Sequence, residues 1–303
     1  MNPIEIHQIS KSYGKVSAVD DVSFYVRENE IFGLIGPDGA GKTTIIRMLV
    51  SLLRADRGEI FFQGKKVEEN ISFVRSSAGY MPQRFSLYQD LTVEENMRFF
   101  GDLFSISRQT QEDRMKKLYA FSRLEPFRKR RAGNLSGGMK QKLALSCMLM
   151  HEPSVVILDE PTFGVDPVSR AEFWEILKSL SKRGTTILVT TAYMDEADLC
   201  DRVGLIFSGR LLAVDTPKKL LEQFDEPLYF IENVQPYKIL EKLGGTILEK
   251  NAHIFGGGIH ISDSGFGEIA IKEALKRSGV DDSALHKINP SLEDLFLKLM
   301  KRR

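Results

Sequence analysis

The stretch GPDGAGKTT at positions 36–44 restricts the possible folds of this 303-residue chain more than any other feature. It follows the apolar segment EIFGLIG, opens the helix-like segment KTTIIRMLVSLL, and fits the pattern G-x-x-x-x-G-K-[ST]. Its glycines let the backbone turn tightly and bring N–H groups within reach of phosphate oxygens. The stretch therefore predicts a phosphate-binding loop between a strand and a helix.

Within this loop, the sequence assigns separate tasks to separate side chains. Lys42 is expected to bridge the β- and γ-phosphates of a nucleotide, and the hydroxyl of Thr43 is expected to ligate Mg²⁺. The residues predicted to bind the nucleotide here are Gly36, Pro37, Asp38, Gly39, Ala40, Gly41, Lys42, Thr43 and Thr44.

A second segment, SVVILDEP, supplies the carboxylates that such a site needs. Four apolar residues lead to Asp159, which is placed to hold Mg²⁺, through water, at the end of a buried strand. Glu160 follows and can orient or deprotonate an attacking water. An apolar run followed by Asp-Glu is a weak signal alone, because many strands end in acidic residues. Together with the phosphate loop it indicates phosphoryl-transfer chemistry, which requires positioning and charge neutralisation.

The order of strand and helix signals predicts the architecture. Residues 1–225 alternate between the two, which indicates a layered α/β domain with a parallel sheet. Residues 88–145 are almost wholly helical, so we expect an inserted helical subdomain. Residues 226–303 are expected to form a small α+β, ferredoxin-like domain of order β-α-β-β-α-β with a final helix. Its two middle strands are predicted at 246–251 and 259–262, joined by a turn at the glycines 256–258.

Composition limits the classes of partner and compartment. Lys and Arg number 42 against 41 Asp and Glu, so the net charge of +1 gives no reason to expect a nucleic-acid partner. No apolar run reaches the roughly 18 residues that a membrane span needs, and we expect the chain not to cross a membrane alone. The two cysteines suggest no disulfide framework and a reducing compartment. The five histidines have no metal-ligand spacing and are expected to be structural or exposed.

Six motifs occur in the order typical of ATP-binding-cassette (ABC) ATPases, and the chain resembles that family over roughly residues 4–215. They are GPDGAGKTT, YMPQ, LSGGMKQK, VVILDEP, GVDP and TTAYMDEAD. The resemblance implies a P-loop NTPase (RecA-like) cassette that binds ATP and Mg²⁺ and hydrolyses ATP. It also implies head-to-tail pairing of two cassettes, in which Ser136, Gly137 and Gly138 of one serve the ATP bound on the other. In isolation, the same three residues would be an ordinary glycine-containing helix cap.

The resemblance also implies roles for single residues. Tyr13 looks like the aromatic residue that stacks on adenine, although a packed tyrosine on an edge strand is the alternative. Gln83 resembles the glutamine that reaches Mg²⁺ and the attacking water, while the segment that follows it, 84–96, faces a membrane partner. Asp166 matches the loop that contacts the opposite site across the pair of cassettes.

Three positions depart from the family pattern. Asp38 stands where Asn is common and Met139 where Gln is usual, and both are tolerable because neighbouring backbone makes the main contacts there. Ala192 stands where the family usually has a histidine that touches the γ-phosphate. Alanine has no hydrogen-bond donor, so we expect slower or Glu160-dependent hydrolysis, and not an inactive site.

The resemblance extends to the biological role. It is closest to ATP-hydrolysing subunits of bacterial exporters of drugs, other small molecules or ions, which work with separate integral-membrane permeases. It implies a peripheral location on the cytoplasmic face of the inner membrane and a homodimer or heterodimer of cassettes. The alternative is a non-transport ABC ATPase that acts on DNA or ribosomes, or a membrane-linked signalling ATPase. A DNA-repair member would need a long coiled coil between Lys42 and Ser136, and no heptad run is present there.

Overall fold

A computed structural model describes residues 2–84, 87–232 and 235–301 of the chain. The chain divides into two compact units, Met1–Pro217 and Lys218–Arg303. Among the described helices, none combines the length and the hydropathy that a membrane-spanning segment needs.

The first unit contains ten strands in two sheets. In chain order they are β1 (Ile4–Tyr13), β2 (Val16–Val26), β3 (Ile31–Ile35), β4 (Arg57–Phe62), β5 (Lys65–Lys66), β6 (Ala78–Met81), β7 (Val155–Asp159), β8 (Thr186–Thr191), β9 (Arg202–Phe207) and β10 (Arg210–Asp215). Its α-helices are α1 (Lys42–Leu49), α2 (Ile71–Ser77), α3 (Val93–Leu103), α4 (Arg108–Ser122), α5 (Gly137–Met148), α6 (Pro167–Lys182) and α7 (Pro217–Leu221), the last of which crosses the boundary between the units.

The smaller sheet of this unit is antiparallel and has the order β2-β1-β4-β5. The larger has the order β10-β9-β3-β8-β7-β6, in which only β10 runs against its neighbour. Strands β3, β7 and β8 are buried along their whole length, as their continuous apolar sequences require in a parallel sheet covered on both faces. The ring of Phe32 on β3 stacks on that of Phe24 on β2, with centroids 5.1 Å apart, and links the two sheets.

Between β6 and β7 the described chain forms helices and no strand. Helix α3 begins with a capping box, because Thr92 accepts from the backbone N–H of Glu95 while the Glu95 carboxylate accepts from that of Thr92. Ser107 and Ser136 directly precede helices α4 and α5, and the hydroxyl of each accepts a hydrogen bond from a backbone N–H of the first turn. Polar residues at each helix start therefore satisfy backbone donors that would otherwise be unpaired.

The second unit contains β11 (Leu228–Glu232), α8 (Pro236–Lys242), β12 (Ala252–Phe255), β13 (Gly258–Ser262), α9 (Glu268–Arg277), β14 (His286–Ile288) and α10 (Leu292–Lys301). Its sheet has the order β12-β13-β11-β14 and is antiparallel throughout. The strand predicted at 246–251 is wrong, since that segment forms turns and the strand begins at Ala252. Leu248 lies in this irregular segment, and its side chain is buried in the core of the second unit.

Candidate active site

The strand order of the larger sheet brings the predicted site residues together. Strands β3, β8, β7 and β6 are consecutive and parallel, so their carboxyl ends lie side by side at one edge. The phosphate loop follows β3, Ala192 follows β8, Asp159 ends β7, and Gln83 comes two positions after β6. Ligands of open α/β sheets bind at this edge.

The loop after β3 needs glycine at two positions for steric reasons. A Cβ at Gly36 would overlap the carbonyl oxygen of Ile206, and a Cβ at Gly41 would overlap that of Ala18. Gly41 also has a φ of 103°, which side-chain-bearing residues rarely adopt. The N–H of Gly36 donates to the carbonyl of Thr191 at 3.2 Å and so fixes the loop beside the end of β8. These contacts fix one side of the loop. On its other side, a Cβ at Gly39 would meet no described atom within 4 Å.

Lys42, the first residue of α1, is buried in this loop. Its ammonium group donates to the carbonyl oxygens of Gly36 at 2.6 Å and Pro37 at 3.0 Å. It also lies 3.0 Å from Oε1 of Glu160, and these two side chains are only 3% and 7% exposed. A positive charge is therefore fixed at the bottom of the loop, where the negative charge of a polyphosphate would be neutralised.

Asp159 is surrounded by hydroxyl groups. Its Oδ1 accepts from the hydroxyls of Thr43 at 3.1 Å and Thr190 at 2.8 Å. Thr190 was not among the site residues predicted from the sequence. The polar end of TTILVTT, which follows an apolar run, could have indicated a site residue there. Burial of Tyr80 on the neighbouring strand β6, and to a lesser extent the negative charge of Asp159, raise the pKa of Tyr80 to about 12. A carboxylate and a hydroxyl are the hard oxygen ligands that Mg²⁺ prefers, so this pair fits that ion.

Glu160 has an unusual backbone that turns its side chain toward Lys42. Its φ is 49°, a left-handed conformation that costs a non-glycine residue energy. The N–H of Glu160 donates to both the carbonyl, at 3.1 Å, and the hydroxyl, at 3.0 Å, of Thr190, which stabilises this turn. Oε2 accepts from Nε2 of Gln83 at 2.9 Å. The carboxylate predicted as a base and the amide predicted to assist it are therefore in direct contact.

The remaining predicted residues of the loop and Tyr13 differ in exposure. Asp38 and Gly39 are exposed at the tip of the loop, Pro37 and Thr44 are half-buried, and Ala40 is buried. Tyr13 ends β1 in the antiparallel sheet and is 49% exposed, so its ring is accessible to a ligand.

Ser136, Gly137 and Gly138 lie at the amino end of α5, an element separate from the phosphate loop. The hydroxyl of Ser136 accepts from the N–H of Met139 at 3.3 Å. A Cβ at Gly138 would overlap the side chain of Ser169, whereas one at Gly137 would meet nothing. Gly138 thus allows α5 to pack closely on the start of α6, and Gly137 leaves the positive end of the α5 dipole open.

Asp166 is the N-cap of α6. Its carboxylate accepts from the backbone N–H of Ser169 at 2.9 Å, and this bond lowers the pKa of Asp166. The charged form of the carboxylate is therefore favoured at the helix start.

Ala192 lies directly after β8, next to the strand end that contacts the loop. The following residue, Tyr193, packs its ring under the guanidinium of Arg170, 4.7 Å from the ring centroid. Arg170 pairs with Asp195 at 3.0 Å, so the segment after Ala192 is tied to α6. Within the predicted membrane-facing segment 84–96, residues 85 and 86 lie outside the described residues.

These contacts meet the needs of Mg²⁺ and a nucleoside triphosphate. Open space above a glycine-rich turn, a buried ammonium group and a helix amino terminus suit phosphate groups. A carboxylate beside a threonine hydroxyl suits Mg²⁺. Together they define an α/β nucleotide-binding cassette of the phosphate-loop class.

Comparison with known proteins identifies the family. The family model described as ABC transporter matches residues 19–163. The Nod factor export ATP-binding protein I of Burkholderia lata is 38% identical over 305 residues, an alignment that covers 99% of this chain and 97% of that protein. The chain belongs to the ABC transporter family as an ATP-binding protein.

Two further kinds of relative agree with this assignment. The Escherichia coli protein named "Probable multidrug ABC transporter ATP-binding protein YbhF" is 43% identical over 220 residues, and the match spans 73% of this chain but 38% of that protein. A solved ATP-binding subunit of an ABC transporter superposes with a TM-score of 0.66 at 31% identity, over 73% of this chain and 92% of that one. A dimeric bacterial ABC transporter cassette shares the fold, with a TM-score of 0.64 over 70% of this chain and 98% of that one, at 24% identity.

Proposed function

We propose that this chain binds Mg–ATP at the edge of the larger sheet and hydrolyses it to drive an exporter. The observation that carries the proposal is the cluster in which buried Lys42 contacts buried Glu160, and Glu160 contacts Gln83, beside the pair of Thr43 and Asp159. In it, Lys42 neutralises the β- and γ-phosphates, Thr43 and Asp159 hold Mg²⁺ with help from Gln83, and Glu160 activates water. Mg²⁺ supplies charge neutralisation on the phosphate oxygens when it is bound.

The site is completed by a second cassette, of the same chain or another. Ser136, Gly137 and Gly138 present a capped helix end with open space around Gly137, which suits the γ-phosphate of ATP bound on the partner. Asp166 contacts the partner from the adjacent start of α6. Tyr13 stacks on the adenine base from its exposed position on β1.

Integral-membrane permeases are the proposed membrane partners. The relatives named for multidrug transport and for Nod factor export support an exporter. The cassette would then sit at the cytoplasmic face of the inner membrane through its permease, and the permease would select the cargo. Residues 88–145, with three helices, would form the helical subdomain, and the segment 84–96 would contact the permease.

We also propose that residues 226–303 form a ferredoxin-like accessory domain beside a cassette of residues 1–225. The strand order β12-β13-β11-β14, with one helix between β11 and β12 and one between β13 and β14, supports this assignment. The final helix α10 is an addition to that pattern.

Cross-linking tests the composite site directly. Glu160→Gln blocks hydrolysis while leaving phosphate contacts in place, and Asp38→Cys with Ser136→Cys introduces one thiol at the loop tip and one at the start of α5. The two native cysteines are buried and do not interfere. We expect a short bis-maleimide to link two chains when Mg–ATP is present.

Two controls make this result specific. Omitting nucleotide should abolish the cross-link, and pairing Asp38→Cys with a cysteine at exposed Glu28 should give none. If Mg–ATP binds but no chain-to-chain cross-link through residue 136 forms, a site shared between two copies of this chain is wrong, and the second cassette must be a different chain or absent. If Mg–ATP does not bind, the nucleotide site itself is wrong.

A further inference from the structure

Three side chains that are far apart in sequence meet in the second unit. His253 on β12 and His260 on β13 are paired across the hairpin. Nε2 of His253 lies 2.9 Å from Oδ1 of Asp294, on α10, and Nδ1 of His260 lies 2.7 Å from the same oxygen. The three ligand atoms lie within 4.8 Å of one another. Such a His-His-carboxylate set is typical of sites for divalent transition metals.

We propose that His253, His260 and Asp294 bind one divalent transition-metal ion of the Zn²⁺ class and thereby tie the β12–β13 hairpin to α10. This site is independent of the nucleotide site and goes beyond the proposed transport function. Metal–nitrogen and metal–oxygen distances of about 2.0–2.2 Å place tetrahedral ligands roughly 3.3 Å apart. The present contacts of 2.9 and 2.7 Å need to widen by about 0.4 and 0.6 Å to reach that spacing.

The groups around the three ligands hold them in this arrangement. Oδ2 of Asp294 accepts from the N–H and the hydroxyl of Ser291, at 2.8 and 2.6 Å, which leaves Oδ1 directed at the histidines. The ring of Phe255 stacks on that of His260 with centroids 4.3 Å apart. Hydrogen-bonded carboxylates and fixed imidazole rings are what orient ligands around a metal.

Metal binding requires a particular tautomer of each histidine. A neutral imidazole that now donates to Asp294 must move its proton to its other nitrogen before it can bind a metal. In His253 that other nitrogen, Nδ1, is buried without a hydrogen-bond partner. Since Nδ1 is unpaired in either tautomer, moving the proton there breaks no hydrogen bond at that atom.

A groove of the second unit borders this cluster, in which the side chain of His253 is 16% exposed and that of Asp294 is fully buried. Both His253 and Asp294 line it, so water could fill the fourth coordination position, as in sites with three protein ligands. Its other charged lining residues are Asp225, Glu226, Glu249, Asp263, Lys250, Lys298 and Lys301. With Asp294, five acidic residues face three lysines, which favours a cation.

The test uses the full chain, freed of metal with a chelator and without nucleotide. Co²⁺ is added as a spectroscopic probe and then displaced with Zn²⁺. We expect one equivalent of Co²⁺ to give the visible absorption of a four- or five-coordinate site, and Zn²⁺ to remove that absorption. We also expect Zn²⁺ to raise the temperature at which the second unit unfolds, because it binds only the folded arrangement.

Matched variants distinguish this cluster from other metal-binding groups. His253→Gln retains an amide that can donate to Asp294 but loses the imidazole, and we expect it to weaken Co²⁺ binding at least tenfold, as should His260→Gln. His286→Gln changes an exposed histidine on the same sheet and should leave affinity unchanged. Circular dichroism checks that each variant folds. The proposal is overturned if the full chain does not bind one equivalent of Co²⁺. It is also overturned if His253→Gln and His260→Gln both fold and both bind Co²⁺ as tightly as the parent chain.

Discussion

The ammonium group of Lys42 and the carboxylate of Glu160 form a buried ion pair, 3.0 Å apart. An entering triphosphate must therefore compete with Glu160 for Lys42, and it also meets the negative charge of that carboxylate. We therefore expect Glu160 to oppose ATP binding while it promotes hydrolysis. The two effects can be separated by substitution.

We expect Glu160→Gln to bind ATP several-fold more tightly and to hydrolyse it at least a hundredfold more slowly. The first effect follows from removal of the competing charge, and the second from loss of the general base, whose contribution is typically about 10²–10⁴-fold. Calorimetric titration and phosphate release measure the two quantities. Glu28→Gln, an exposed glutamate, is the control and should change neither. Weaker binding by Glu160→Gln, or unchanged turnover, would contradict this account.

Thr190 is expected to position Asp159 for Mg²⁺, because its hydroxyl donates to Oδ1 at 2.8 Å. Thr190→Val keeps the shape of the side chain and removes this bond. We expect the Mg²⁺ concentration for half-maximal ATPase activity to rise about tenfold or more, as for other groups that orient metal ligands. Thr186→Val on the same strand removes a hydroxyl that accepts from Asn29 and should leave the Mg²⁺ dependence unchanged. If Thr190→Val and Thr186→Val need the same Mg²⁺ concentration for half-maximal activity, Thr190 does not position Asp159.

The family and the α/β cassette were predictable because the motifs that define them are local in sequence. GPDGAGKTT and VVILDEP each carry their own strand and helix signals, and the assignment to ABC transporter ATP-binding proteins is confirmed. The contact between Gln83 and Glu160 was not predictable, since it depends on β6 and β7 being neighbours in the sheet. Strand order is a property of the whole domain and leaves no local trace.

The second unit also contains features that could not be predicted from local sequence. Its β12 strand begins at Ala252 and not at the predicted 246–251, because the apolar Leu248 that suggested a strand is buried from a turn. The cluster of His253, His260 and Asp294 depends on that register and on the docking of α10. Spacing along the sequence could not reveal it. The roles of the individual site residues remain predictions that the variants described here would test.

Ala192 directly follows Thr191, whose carbonyl accepts a hydrogen bond from the N–H of Gly36 in the phosphate loop. We expect Ala192→His to raise turnover roughly ten- to a hundredfold. A charge-assisted hydrogen bond to the γ-phosphate contributes about 1.5–3 kcal/mol. Ala192→Leu adds volume without a donor and should not raise the rate. Steady-state ATPase assays at saturating Mg–ATP measure the turnover of each variant. An unchanged or lower turnover in Ala192→His would contradict the prediction.

Cys147 lies inside α5, and burial raises the pKa of its thiol above the ordinary value of 9.0. The folded state therefore keeps a proton that the unfolded state loses, so this thiol stabilises the fold fully below pH 9 and progressively less as pH rises above it. We expect a loss of up to about 1.4 kcal/mol per pH unit in the free energy of unfolding. Urea unfolding, followed by the fluorescence of the single tryptophan, Trp174, measures it. Cys147→Ala should show a shallower decline, and equal declines would contradict the prediction.

Gly137 and Gly138 are adjacent in α5 but should respond differently to the same substitution. A Cβ at Gly138 overlaps Ser169, so Gly138→Ala should destabilise the fold by about 1–3 kcal/mol. A Cβ at Gly137 meets nothing within its own chain, so Gly137→Ala should change stability by less than about 1 kcal/mol. Urea unfolding compares the two variants.

ATPase assays then reveal what the open side of Gly137 is for. If it faces ATP on a partner cassette, Gly137→Ala should lose most of its turnover while it remains as stable as the parent chain. Because the new methyl group contacts nothing among the described residues of its own chain, we would assign that loss to a surface shared with another molecule or with nucleotide. Full turnover in Gly137→Ala would place the amino end of α5 outside the shared site. Equal stability of the two alanine variants would instead refute the close packing of α5 on α6.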